Sequence, residues 1–398
     1  MSVVVREQRL AGLRWLVVSG PRREAFRALG ESARADIGVV RETMPEREAL
    51  RRRVRTEEGA ALLDRVLRAT RERHPWELAE LEALAEGAGV PFDDLLLANL
   101  RGDLGTDDGT GCSDLIWRGE HSFVAHNEDG APTLDGRLTL LTLVLDGLVP
   151  VTVQWYPGFV PANAFTATGH GLVWGINHLQ VARPAAGGAG RHFVARAMQQ
   201  VPTLDTALEH LRTHPGAGGF SYAIGERATG RVVVAEAAGG RTAVVEATPA
   251  EPLHWHTNHL RHLPDPLEPA GPGASADSLG RYEESVARGR ALDSLRTGGR
   301  EPEPSGAWFL DALTGAPLPH GVHRTAADGD PLMTLGTAVA DLTADRVLVR
   351  GPRGDTAELP LSDFVRGVAP GAQGLSAERV RVRRSRRGGR RPPPAGSC

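Results

Sequence analysis

The chain of 398 residues contains no lysine, so all 46 of its basic residues are arginine. It therefore has no Schiff-base lysine, no phosphate-binding lysine of a P-loop and no Ser-Lys dyad. This argues against pyridoxal enzymes, P-loop ATPases and kinases. The formal net charge is only −3, so no global basic field indicates a nucleic-acid partner.

Cysteine is almost as scarce, since Cys112 and Cys398 are the only two in the chain. Two thiols cannot build a disulfide framework or a cysteine-rich zinc site. The N-terminal residues lack an unbroken apolar run followed by a small-residue cleavage site, and no apolar stretch approaches membrane-spanning length. We therefore expect a cytoplasmic protein that binds no membrane.

The pattern of apolar residues predicts a helical region followed by a strand-rich one. Residues 12–19 predict a first strand, and residues 21–99 show helical periodicity. After a turn-rich linker at Gly105 the pattern alternates as in strands, with a helix predicted at roughly 191–213 and another after the Pro/Gly-rich loop 263–276. Many neighbouring strands with layered helices favour an α+β sandwich over a βαβ fold.

The C-terminal segment 370–398 is dense in arginine, glycine and proline. Like charges in that density cannot bury a core, so we predict a disordered tail. Binding of a polyanion is one role for such a tail, and a solvated end without a role is the favoured interpretation.

Cys112 begins a predicted strand. The ordinary alternative to a functional thiol is a small buried hydrophobic residue, which is what most cysteines without a disulfide are. The segments SDLIW and HSFVAHNED on either side of RGEH predict a hairpin. If Trp117 faces Ser122, Cys112 falls opposite Asn127 and diagonal to Asp129, which share one strand face. A slip of one residue would change this register. The pairing places a thiol beside an amide and a carboxylate.

A thiol attacks best as the thiolate, so Cys112 needs a base. A conventional cysteine hydrolase would use a histidine, but local spacing ties none of the 14 histidines to Cys112. The other base is the α-amino group of Cys112 itself, whose ordinary pKa of about 7.7–8.0 suits proton transfer near neutrality. It becomes available only if the Gly111–Cys112 peptide bond is cut.

The segments GCSDLIW, AHNEDG, GLVWGINHLQ and HWHTNHL occur here in this order. Together they resemble the acyl-coenzyme A:6-aminopenicillanic acid acyltransferase family, autoproteolytic N-terminal-nucleophile (Ntn) hydrolases of peptidase family C45. The resemblance covers roughly residues 12–365. It implies a four-layer αββα sandwich, made as one chain and cut into two fragments that stay together. The implied divisions are a fragment 1–111, a catalytic part 112–369 and the tail 370–398, with no cofactor and no metal.

The resemblance also assigns roles to single residues. Cys112 matches the nucleophile, and Gly111 matches the residue before the cleavage point. Asp129 matches an acidic residue that holds the new amino group. Asn258, within HTNH, matches an asparagine of the oxyanion hole, and Asn177, within GINHL, lies at a strand end that contributes to that hole in related enzymes.

The sequence departs from the family pattern at two places. Glu128 stands where an aromatic residue is common, and the segment DGDPLMTLGT lacks the Ser-Arg pair of the penicillin enzyme. Arg324 is a candidate to supply a substrate-binding cation instead. The expected partner is therefore a small molecule with an acyl group in an amide or thioester, acyl-coenzyme A being one candidate, and hydrolysis and acyl transfer both remain open.

Two rival functions use the same residues differently. The segment LHWHTNHLRH carries four histidines that suggest a metal site, namely His254, His256, His259 and His262. On a strand, residues 254, 256 and 262 could share a face. No cysteine or HExxH spacing accompanies them, so structural histidines are favoured. The second rival is a non-catalytic binding protein on the same scaffold.

Other polar and aromatic residues of this region are expected to be structural. We expect the carboxylates of Asp114, Glu128 and Glu236 to be solvated or salt-bridged. Arg196 is expected in a structural ion pair, and Trp155 and Trp174 are expected in the core.

Overall fold

The computed structural model describes residues 2–105, 111–162, 164–263, 276–296, 303–327 and 329–370. The predicted tail, from residue 371 on, and most of the loop 263–276 lie outside these ranges. Cys398 therefore lies outside them too.

The described residues form two β-sheets. The strand order of the first sheet is β1 (Val4–Leu10), β2 (Leu13–Gly20), β5 (Thr139–Leu145), β6 (Val151–Trp155), β7 (Thr166–Thr168), β8 (Leu172–Leu179), β9 (Gly219–Glu226), β10 (Val232–Ala238) and β11 (Arg241–Glu246). The order of the second sheet is β12 (Leu253–His256), β3 (Ser113–Arg118), β4 (Ser122–Gly130), β13 (Met333–Asp341), β14 (Arg346–Arg350) and β15 (Thr356–Pro360). Strands β2 and β5 pair in parallel, and the other neighbouring strands pair antiparallel.

Helices cover the outer face of each sheet. The α-helices are α1 (Arg22–Ser32), α2 (Arg34–Thr43), α3 (Arg47–Arg53), α4 (Glu57–Arg73), α5 (Pro75–Ala88), α6 (Phe92–Asn99), α7 (Arg191–Met198), α8 (Leu204–Thr213), α9 (Ala276–Asp293), α10 (Gly306–Thr314) and α11 (Leu361–Val365). Helices α1–α8 pack on the first sheet, and α9 and α10 pack on the second. A further apolar core, with Val17, Ile116 and Val124 among its members, lies between the sheets. The described elements thus form the four αββα layers, and the predicted α+β sandwich is confirmed.

Two local predictions differ from the structure. The helix predicted at roughly 191–213 is two helices, because Pro202 cannot donate a backbone hydrogen bond and Thr203 caps a new helix by accepting from Thr206. The first predicted strand is β2, but it follows an unpredicted partner, β1. Ala11 and Gly12 make the hairpin turn with φ of 50° and 77°.

Residues 1–111 do not form a separate core. Strand β2 is an inner strand of the first sheet, and helices α1–α6 share an apolar cluster with β5 and β6. Arg196 pairs with Glu80 at 2.8 Å, and both side chains are buried, which confirms the expected structural ion pair. Trp155 and Trp174 are fully buried, as expected. Within the described residues, no helix combines the length and apolarity needed to cross a bilayer.

Three histidines meet where α4 and α5 contact α8. The ring of His74 lies 6.1 Å from that of His210 and 5.8 Å from that of His214. His74 is 1% exposed, and its Nε2 has no hydrogen-bond partner among the described residues. Burial, with the two neighbouring histidines, lowers the pKa of His74 to about 3. This contact between the two parts of the chain therefore requires a neutral His74.

We expect acid to weaken the fold through this histidine. As pH falls below 6.5, the unfolded chain takes up the proton first, because the folded pKa is lower. From pH 7 to pH 5 the His74 term should cost about 2 kcal/mol of unfolding free energy. Between pH 7 and pH 5, the free energy of unfolding of the His74→Gln variant should therefore fall by about 2 kcal/mol less than that of the wild type, as measured by chemical denaturation. The exposed His320→Gln is the control, and equal losses in the two variants would contradict the assignment.

Candidate active site

Cys112 directly precedes β3 and is 2% exposed. Ser113 pairs with Asn127 and Trp117 with Phe123, so the hairpin register differs by one residue from the predicted one. Cys112 therefore stands level with Glu128 rather than Asn127. The predicted placement of the thiol beside the side chains of Asn127 and Asp129 is wrong, because residues 127 and 129 project from the face of the sheet opposite to residue 112.

Asn127 is a structural residue on the outer face of the second sheet. Its side chain donates to the carbonyl of Leu313 at 2.6 Å and accepts from the Thr337 hydroxyl at 2.6 Å. Both bonds tie β4 to its neighbours, so Asn127 is available as a comparison residue outside the site.

The inner face beside Cys112 carries a buried chain of charged groups. His126 contacts Asp114 through Nδ1 at 2.7 Å and Glu128 through Nε2 at 2.9 Å. Tyr156 donates its hydroxyl hydrogen to the other oxygen of Glu128 at 2.7 Å. The potential ligand atoms of Cys112, His126 and Glu128 all lie within 4.8 Å of one another. The expected salt-bridged state of Asp114 and Glu128 is confirmed.

The two carboxylates fix the charge of His126. Burial lowers the pKa of this imidazole, but Asp114 and Glu128 outweigh it and raise the pKa to about 10. The ring is therefore an imidazolium with both nitrogens engaged. Gly175 in β8 faces the pair, and a Cβ there would collide with Asp114 and His126. Sequence analysis missed this cluster, although its residues alternate along β3 and β4 at a spacing of two.

Asp129, near the end of β4, has its backbone close to the thiol. Its carbonyl oxygen is 3.8 Å from Cys112 Sγ. One carboxylate oxygen accepts from the Thr334 hydroxyl at 2.7 Å, whereas Oδ2 is buried with no hydrogen-bond partner in the described part of the chain. Burial raises the pKa of Asp129 to about 7, against the opposing charge of Arg324. The carboxylate is thus placed to accept a further donor.

Gly111 packs so closely that a side chain there would displace two neighbouring side chains. A Cβ there would lie 2.7 Å from Arg324 Nη1 and 2.8 Å from Leu332 Cδ1. Arg324 is 7% exposed and is paired with Glu284 at 2.7 Å and with Asp330 at 3.1 Å. The arginine therefore lies against the Gly111–Cys112 junction, and its role toward substrate stays a prediction.

Asn177 and Asn258 connect the two sheets at the same edge. The Asn177 amide donates to the carbonyl of His256, and the Asn258 amide donates to the carbonyl of His178, each at 3.0 Å. In β12, His256 pairs with Asp114, so the same register continued by two residues brings Asn258 level with Cys112. The structure therefore brings together the residues assigned to the hole and the thiol.

Arg288, on α9, joins these groups and was not found by sequence analysis. Its guanidinium donates to the carbonyl of Cys112 at 2.6 Å, to the Ser113 hydroxyl at 3.1 Å and to Asn258 Oδ1 at 2.7 Å. Glu284, one turn earlier, accepts from its Nε at 2.7 Å. The signal that the sequence offers is a Glu-Arg pair at spacing i, i+4 on a predicted helix. The structure adds that this arginine is 1% exposed.

The histidine-rich segment is structural where it is described. His256 contacts the buried carboxylate of Glu236 at 2.9 Å, and His259 contacts the Ser285 hydroxyl at 2.9 Å. Glu236 is buried and hydrogen-bonded by His256 and by the backbone N–H groups of His262 and Leu263, so it is not solvated. Among the described residues, the group with three potential metal ligands is Cys112, His126 and Glu128, and the four histidines do not form another.

Two cavities differ in their relation to the thiol. An open cavity of about 1020 Å³ is lined by Arg118, at the far end of β3 from Cys112, and by residues of the hairpin turns there. A smaller one is lined by Tyr156, the partner of Glu128, together with Met44, Leu134 and Phe159. The smaller cavity, whose lining also includes Glu46 and Arg101, borders the cluster around Cys112 through Tyr156.

A family model described as acyl-coenzyme A:6-aminopenicillanic acid acyl-transferase matches residues 117–319, just over half of the chain. The chain belongs to this acyl-transferase family. The matched region contains Asp129, Asn177 and Asn258, whereas Cys112 lies five residues before it and Arg324 five residues after it.

The chain is also similar to the beta-alanyl-dopamine/carcinine hydrolase of Drosophila melanogaster. It is 26% identical over 174 residues, which cover 39% of this chain and 45% of that protein. The chain thus matches less than half the length of that relative. Two variants of the conjugated bile acid hydrolase of Clostridium perfringens are similar in structure, with TM-scores of 0.39 and 0.38 and 11% identity. Each comparison covers 63% of this chain and 93% of the other.

Proposed function

We propose that the protein is an autoproteolytic N-terminal-cysteine hydrolase that cleaves small N-acyl amides through an acyl-enzyme on Cys112. The observation that carries the proposal is the placement of the thiol. Cys112 is buried directly after a glycine that packs against Arg324 and Leu332, the carbonyl of Asp129 is 3.8 Å from its sulfur, and Arg288 links it to Asn258. Membership of the acyl-transferase family agrees with acyl chemistry at this site.

Maturation begins with attack of the Cys112 thiol on the carbonyl carbon of Gly111. The new S–C bond replaces the C–N peptide bond, and the thiol proton passes to the released nitrogen. Water then breaks the S–C bond of the thioester, which leaves a carboxylate on Gly111 and restores the thiol of Cys112 beside its new α-amine. Arg324, against Gly111, balances charge near the carbonyl during this step. The products are the fragments 1–111 and 112–398, which the shared core keeps together.

The new α-amine then serves as the base for turnover. It accepts the proton of the thiol and returns it to the leaving amine, which requires an ordinary pKa near neutrality. The unpartnered Oδ2 of Asp129 is placed to hold the ammonium form. A histidine-assisted mechanism is less favoured, because both nitrogens of His126 are already engaged by carboxylates.

Asn258 is the proposed oxyanion donor. One N–H of its amide is held by the carbonyl of His178, so the second N–H remains for the oxygen of the tetrahedral intermediate. Arg288 fixes the opposite side of the same amide and thereby orients it. A donor of this kind contributes about 2.7–4 kcal/mol to transition-state stabilisation. Asn177 is proposed as a second contributor at the adjoining strand end.

The preferred substrate is a small N-acyl amide rather than acyl-coenzyme A. The Drosophila relative is named as a hydrolase of beta-alanyl-dopamine and carcinine. The chain has no lysine to bind the phosphates of coenzyme A, although arginine could replace it. Acyl transfer to an amine is the second candidate function, and a cytoplasmic location remains part of the proposal.

Replacing Cys112 with alanine should leave a single uncut chain, because the attacking thiol is gone. The wild type should yield a new N-terminal cysteine, seen by intact mass and N-terminal sequencing. Cys398→Ala is the matched control and should be cut normally. An active wild type that is entirely full-length would refute self-cleavage.

Replacing Asn258 with alanine should lower kcat by ~10²–10³ with a smaller change in KM, since the oxyanion forms only along the reaction path. Asn127→Ala removes a fully buried amide on the outer face of β4, away from the thiol, so it should lower stability and leave kcat near the wild-type value. A near-normal kcat in Asn258→Ala would make this asparagine structural.

Water should be the main acceptor of the acyl group. An activated thioester of a short acyl group would load the cleaved enzyme, and decay of the acyl-enzyme would be followed by mass spectrometry with and without added amines. We expect free acid as the main product in both cases. Amine-dependent decay that yields mainly the amide would instead identify an acyltransferase.

A further inference from the structure

We propose that the Cys112 thiolate, His126 and Glu128 together bind one Zn²⁺ ion, which blocks the thiol. The three side chains approach one another on the inner face of the second sheet, from β4 and the start of β3. The blocking consequence depends on the proposed function, whereas the binding of zinc does not.

The donor set is one that zinc prefers. Thiolate sulfur, imidazole nitrogen and carboxylate oxygen are its usual protein ligands, at about 2.3, 2.0–2.1 and 2.0–2.2 Å. Here His126 Nε2 and Glu128 Oε2 are 2.9 Å apart, and one ligand atom from each of Cys112, His126 and Glu128 lies within 4.8 Å of the other two. An ion among these atoms needs only small side-chain movements. Three protein ligands leave the fourth tetrahedral position open.

The groups behind the ligands already orient them. A zinc-binding histidine usually donates its other ring N–H to a carboxylate, and Asp114 accepts from Nδ1 of His126 at 2.7 Å. Tyr156 holds the oxygen of Glu128 that faces away from the histidine, also at 2.7 Å. Because Gly175 has no side chain, Asp114 and His126 can pack against its backbone while they contact each other. This supporting arrangement separates the site from a chance cluster of polar groups.

Binding exchanges the ion for protons without changing the buried charge. Zn²⁺ replaces the thiol proton of Cys112 and the proton on Nε2 of His126, so two positive charges enter and two leave. The new bonds are Zn–S, Zn–N and Zn–O. In the uncut chain water takes the fourth position, and after the proposed cleavage the α-amine of Cys112 can take it. The first form removes the nucleophile, and the second removes both the nucleophile and the base.

The first test measures protection of the thiol in the wild-type protein. Chelator-washed protein is treated with iodoacetamide with and without one equivalent of Zn²⁺, and peptide mass spectrometry follows each cysteine. We expect Cys112 to be protected and Cys398, the internal control, to react equally in both. Titration should give one zinc per chain, and Co²⁺ should show a thiolate-to-metal charge-transfer band. Equal alkylation of Cys112 in both samples would overturn the proposal without any mutation.

Variants locate the ion. Asp114→Asn should weaken zinc binding about 10- to 100-fold, the usual loss for a partner behind the ligand, and Glu128→Gln should weaken it further. Glu236→Gln is the matched control, because Glu236 makes the same contact to His256 elsewhere. It should keep the wild-type affinity. Zinc binding lost in Glu236→Gln but retained in Glu128→Gln would place the ion in the histidine-rich segment and refute the site.

The zinc inference and the proposed function fail separately. If an activated thioester acylates Cys112 while zinc gives no protection, the metal site is wrong and the nucleophile stands. If zinc binds and protects Cys112 but the thiol is neither acylated nor cut from Gly111, the hydrolase proposal is wrong and the metal site stands. If both hold, Zn²⁺ should stop turnover and a chelator should restore it.

Discussion

The site depends on the backbone hydrogen bonding of β3 with its two neighbours. Antiparallel pairing with β12 brings Asn258 level with Cys112, and pairing with β4 brings Glu128 level with it. A strand has a period of two, so a shift of one residue would exchange every side chain between the inner and outer faces. The chemistry available to the thiol is therefore fixed by register before any side chain is placed.

The second constraint is that buried charges need partners. The inner face of β3 and β4 buries two carboxylates and an imidazolium in direct contact. Near the Gly111–Cys112 junction, Arg288 and Arg324 are each buried, and each pairs with Glu284. Removing one member of such a group leaves an uncompensated charge, which is costly in a low dielectric. Arginine suits these positions, because its planar fork lets one side chain serve several acceptors.

The N-terminal part of the chain is held to the rest by the same kinds of interaction. Strand β2 lies inside the first sheet, and the buried pair of Glu80 and Arg196 joins α5 to α7. The neutral cluster around His74 adds a contact whose stability depends on pH. If the chain is cut after Gly111, these contacts are what keep the two fragments in one fold.

The sequence determined more of the fold class than of the site. Alternation and turn residues were enough to predict the α+β layers and the hairpin of β3 and β4, because those patterns are local. The motifs around Cys112, Asp129, Asn177 and Asn258 identified residues that do lie at one edge of the sandwich. The register of the hairpin was misjudged by one residue, since Arg118 pairs with Ser122 and the turn between them donates to Glu303, which lies far along the chain. Only the tertiary structure decided that His126 and Asp114 lie beside the thiol and that Arg288 connects Cys112 to Asn258. The physical reason is distance along the chain: Arg288 acts on a carbonyl 176 residues away, and no local pattern encodes such a contact.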